Sequence, residues 1–128
     1  ANKEALHGLG ICKLELGEPA EAAEYLTRLM DLDPRYRDFA GALDYAEALW
    51  KSGQKELALE VAQQLSVESG RLNHRLAYAH YLQQAGDASA ARGVIEHAID
   101  HYQQSPEFVR QRDRSWVRKA QQMLRELA

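Results

Sequence analysis

The chain has 128 residues, 45% hydrophobic and 27% charged, the proportions of a globular protein able to bury a core. Its net charge of −3 is unevenly spread: residues 1–106 carry 10 basic and 16 acidic groups, whereas residues 107–128 carry 6 and 3. An acidic body with a basic tail speaks against nucleic acid as a partner, no apolar run is long enough to span a membrane, and a lone cysteine, Cys12, excludes a disulfide framework or a Cys-based zinc site.

No Pro-rich or Gly/Ser-rich linker interrupts the sequence, so residues 1–128 are expected to form one domain. Ala1 is not an initiator Met and the chain starts inside a helical pattern, which suggests a piece of a longer protein. The unpaired cysteine favours a reducing, cytoplasmic setting.

Apolar residues at three-to-four spacing predict helices near 2–16, 19–32, 38–52, 55–68, 71–85 and 88–103. Pro19 suits a first helical turn, where its missing N–H is not needed. Asp33-Pro34 ends the second helix, because proline disfavours helical geometry in the residue before it. Asp87 is the expected N-cap of the sixth helix. A seventh is predicted over 105–127, with Ser105 as N-cap and Pro106 at the first helical position. Val109, Trp116, Ala120, Met123 and Leu127 mark its apolar side, across a polar gap at 110–115.

The helices repeat. Gly17, Gly53 and Gly86 each follow a helical run and lie 36 and 33 residues apart. Five residues after each comes Ala22, Ala58 or Ala91, and seven before each comes Gly10, Ala46 or Ala79. Small residues at these places let paired helices approach closely, while Leu26, Ala62, Ile95, Leu29, Leu65 and Ala98 fill the space between. The fold class is therefore all-α.

The first repeat resembles a tetratricopeptide repeat, with Leu6, Leu9, Gly10, Gly17, Ala22, Leu26 and Pro34 at signature positions. The other two follow more loosely: Lys13, Leu49 and Leu82 stand where the family has an aromatic, and Gly70 and Gln103 where it has the closing proline. The resemblance implies an α-solenoid of three antiparallel pairs, about 3–36, 38–70 and 71–104, followed by a capping helix over 105–127. It also implies a concave groove, lined by the first helix of each pair, that takes a peptide or partner protein.

On that register the groove residues are His7, Ile11, Leu14, Leu43, Asp44, Glu47, Trp50, Asn73, Leu76 and His80. Some members of the family hold an acidic chaperone tail through Lys and Asn side chains, and the matching positions here are His7, Ile11, Asp44, Asn73 and Ala77. The basic clamp is missing, and Asp44 would repel a carboxylate. The lining is instead apolar, which points to an amphipathic helix or an extended apolar peptide.

Other constellations carry less. His97 and His101 stand four apart on one helix, a spacing that can share a metal, but no third ligand accompanies them and no metal or other cofactor is expected. Cys12 reads as a buried, inert thiol at a packing position. Arg110, Arg112, Arg114, Arg118, Lys119 and Arg125 read as the charged outer face of the cap. The chain is thus expected to be a non-enzymatic protein-interaction scaffold. The alternative is a self-association domain, its groove filled by another protomer or by a missing N-terminal segment.

Overall fold

The computed structural model describes residues 2–127. Within them lie α1 (Lys3–Glu15), α2 (Pro19–Leu32), α3 (Tyr36–Lys51), α4 (Lys55–Ser69), α5 (Leu72–Gln84), α6 (Ala88–Gln104) and α7 (Glu107–Leu127), and no strand. The all-α class follows, with each helix end within a few residues of its expected place. The helices gather into two compact units, residues 1–65 and 66–128.

One turn chemistry recurs three times. Gly17, Gly53 and Gly86 take φ of +75°, +90° and +89°. After α1, Gly17 N–H donates to Leu14 C=O and Glu18 N–H to Lys13 C=O, satisfying carbonyls that the helix end leaves free. The same pair of bonds follows α3 at Gly53 and Gln54, and α5 at Gly86 and Asp87. Asp87 then caps α6 through its carboxylate, which accepts from Ala90 N–H at 3.1 Å.

In the first unit, Leu6, Ala22, Ala23, Leu26, Leu29 and Leu49 form the core with Ala48 and Ala58. The close approach of α1 to α2 falls at Gly10, where an added Cβ would lie 2.6 Å from the buried Leu26 side chain. Ala58 is fully buried in the same core. Ala58→Leu should therefore cost about 1–3 kcal/mol through overpacking, seen as a lower midpoint in thermal unfolding. An unshifted midpoint would mean the close contact is not there.

Within the first turn of α3 the backbone departs from regular helix. Arg37, Asp38 and Phe39 adopt φ of 49°, 53° and 73°, a left-handed turn made without glycine. Left-handed helical geometry costs about 1–2 kcal/mol per L-residue. The guanidinium of Arg35 over Phe39 (5.7 Å) and of Arg37 over Tyr36 (5.5 Å) offset part of that cost.

The second unit packs Leu72, Leu76 and Ala79 of α5 against Ile95 and Ala98 of α6, and α7 closes this core with Ala120 and Met123. Two expectations for α7 are corrected here. Ser105 does not cap α7: its hydroxyl donates back to His101 C=O at the end of α6, and Arg110 N–H donates to Pro106 C=O, so Pro106 occupies the cap. Trp116 does not join the apolar side and is 41% exposed. The supposed polar gap contains the helix's main anchor, Asp113, which is 4% exposed. Its carboxylate accepts from Leu72 N–H at 3.3 Å, capping α5 from α7, and from Arg112 Nε and Nη2 at 3.1 and 2.9 Å.

Candidate functional site

In the first unit the candidate surface is built on α1 and α3. These helices are tied by His7 and Asp44, whose Nε2 and Oδ2 lie 2.7 Å apart. The His7 ring meets Tyr36 edge-on at 5.3 Å. His7 is only 6% exposed, so it clasps the two helices from within and does not line a wet face. That corrects its assignment as a groove residue. The Tyr36 hydroxyl beneath it is buried without a hydrogen-bond partner.

Around this clasp the remaining positions keep part of their surface. Ile11 and Leu14 on α1, and Leu43 and Trp50 on α3, are all half-buried. Leu14 and Trp50 rest on the core while presenting an outer side, and the Lys55 ammonium sits 5.1 Å from the centre of the Trp50 ring. Asp44 keeps about a third of its side chain in solvent, 31%. Glu47 pairs with Lys51 at 3.4 Å, with both ends well exposed, so this bridge contributes little. The face is thus apolar, with Asp44 set against His7, Glu47 against Lys51 and the Lys55 ammonium at the Trp50 ring.

In the second unit the expected lining divides differently. Leu76 is 4% exposed and belongs to the core of α5 and α6, a second correction. Asn73 is half-buried, and His80 is exposed beside the edge of Tyr81 at 5.4 Å. Sequence reasoning overlooked His74, which is buried and lies 2.6 Å from Ser69 Oγ, fixing the start of α5. Cys12, expected to be buried, is exposed on the outer side of α1.

His97 and His101 both face solvent, and no group of three or more metal-ligating side chains occurs among the described residues. Arg75 of α5 holds His101 below its ordinary value of 6.5, with burial and His97 adding to the effect and Asp113 opposing it. The folded state therefore resists protonation that the unfolded chain accepts. Stability is complete above about pH 6.5 and should fall as the pH drops below it. Exposure keeps the effect below about 1 kcal/mol. His101→Gln should flatten the decline in thermal midpoint between about pH 7 and pH 5, and an unchanged slope would remove His101 from the account.

Solved structures share this fold at low sequence identity. PcrH from Pseudomonas aeruginosa matches with a TM-score of 0.74 and 20% identity, over 98% of this chain and 90% of that one. The type III secretion translocator chaperone SycD of Yersinia enterocolitica matches with 0.73 and 21%, over 98% and 90%. PcrH in complex with the chaperone-binding region of PopD gives 0.73 and 20%, over 97% and 89%. The likeness is one of fold: this chain has the tetratricopeptide-like helical arrangement of those chaperones. No protein-family model and no curated protein sequence matches it.

Proposed function

We propose that the chain is a non-enzymatic binding module of tetratricopeptide type that holds an apolar or amphipathic segment of a protein partner against α1 and α3. The observation that carries this reading is the set Ile11, Leu14, Leu43 and Trp50, large apolar side chains left half-open around the His7–Asp44 clasp. Helix-in-groove recognition needs a few such anchors and little else. The fold adds support, since PcrH carries it and forms a complex with a segment of PopD.

Asp44 and Glu47 set the charge of the ligand. An acidic tail would bring its carboxylates toward theirs, whereas a neutral or basic amphipathic helix would not. The test is a panel of amphipathic helical peptides of graded net charge, scored by fluorescence of Trp50 in a Trp116→Phe background. Neutral and basic members should bind and acidic ones should not. Binding restricted to acidic peptides, or none by any member, would overturn the proposal.

A further inference from the structure

The outer side of α1 is apolar and uncovered. Ala5, Leu9, Cys12 and Leu16 fall within about a 60° arc at 100° per residue, and all four are exposed, Leu16 by 70% and Leu9 by 42%. Gly8 beside them has open space where a Cβ would be, so another backbone could come close. A surface helix normally turns such a stripe inward.

On one flank of this ridge stand Glu4 and Glu15, both exposed. The acids beyond the end of α1, Glu18 and Glu21, are already held by Lys13 at 2.9 and 2.7 Å. Glu4 and Glu15 have no such partner among the described residues.

α7 carries the counterpart. Phe108, Arg112, Ser115, Trp116 and Lys119 form an exposed ridge about 100° wide, with Phe108 72% exposed. Arg114, Arg118 and Arg125 line one flank, all exposed and without an ion-pair partner among the described residues. Glu4 and Glu15 are eleven residues apart, and so are Arg114 and Arg125, about 16.5 Å in each case. Seen from the N-terminus of each helix, both charged flanks lie on the same side of their ridge. Two such helices packed antiparallel bring those flanks together, as like-lettered flanking positions meet in antiparallel coiled coils. Glu15 then faces Arg114 while Glu4 faces Arg125, and Cys12 falls opposite the stretch from Ser115 to Lys119. The wider charge agrees: residues 1–65 hold 7 basic and 12 acidic groups, and residues 107–128 hold 6 and 3.

We propose that α1 of one copy of this chain packs antiparallel against α7 of a second copy. The charged flank borders the α1–α3 ligand face, since Ile11 lies one helical turn from Glu15, but the contact does not rest on the function proposed above. Since the two patches differ, the contact is heterologous and continues from copy to copy, giving rings or open chains.

Light scattering on the eluting protein tests this. Mass should climb with concentration beyond a dimer and fall back with salt. Glu15→Arg or Arg114→Glu alone should raise the concentration for half-association roughly tenfold, and the two together in one chain should restore it. Ser115→Cys should give, on mild oxidation, a ladder of oligomers linked between Cys12 and the introduced thiol. A mass of 14.5 kDa at every concentration would leave these faces to some other occupant and overturn the proposal. So would oxidised dimers joined only through Cys12 of both copies, which would mean that α1 pairs with itself.

Discussion

Asp113→Ala should lower the unfolding free energy by about 3 kcal/mol, the largest loss expected from any single surface-helix change in this chain. The argument starts from the four free N–H groups at the start of every α-helix. In α5 the flanking residue, Arg71, makes no side-chain cap. The Asp113 carboxylate supplies the missing acceptor from α7, bonded to Leu72 N–H at the positive end of the α5 dipole. It also takes the Arg112 fork, which raises the pKa of that guanidinium, and opposes the burial that lowers the pKa of Arg75.

Truncation therefore leaves Leu72 N–H unsatisfied and two cations without their counter-charge. Arg112 keeps 38% of its side chain in solvent and can rehydrate, which holds the loss near the lower end of the range for a broken buried pair. Asp113→Asn, which retains an acceptor and loses the charge, should recover about half of it. Chemical denaturation of the three proteins checks the order. If Asp113→Ala unfolds at the same denaturant concentration as the parent, α7 is held by Ala120 and Met123 alone.

The features legible in the sequence are those whose chemistry is local. The three glycines announce their turns because only glycine closes a helix at positive φ without strain, and Asp87 announces its cap because its partner lies three residues on. Features fixed by distant partners left no mark. Asp113 meets Leu72 across 41 residues and falls, in the sequence, within the polar gap at 110–115. His7 meets Asp44 across 37 and read as groove lining. The left-handed turn at Arg37–Phe39 has no glycine to signal it. Cys12 was assigned to the packed side, yet it lies about 200° round the helix from Gly10, where α1 meets α2.

Trp50→Ala should weaken binding of the best peptide from the charge-graded panel by on the order of 2 kcal/mol or more, about thirtyfold. Tryptophan is among the commonest residues to dominate an interface, and Trp50 is the largest apolar side chain among the half-open positions of α1 and α3. The competing account is that Trp50 serves packing alone. Complete burial would have decided for that account, because emptying a wholly buried Trp site costs about 3–5 kcal/mol. Trp50 is half-buried, resting on the core around Leu49 while Lys55 covers part of its ring. Truncation should then cost roughly 1–2 kcal/mol of stability, less than its effect on binding. Glu47→Ala, one turn away on the same face, removes an exposed charge; it should change stability little and weaken binding less than Trp50→Ala does. Thermal unfolding measured beside peptide affinity separates the two accounts. A variant that loses about 4 kcal/mol of stability, or that binds as the parent does, would take Trp50 out of the ligand face and leave it to the core.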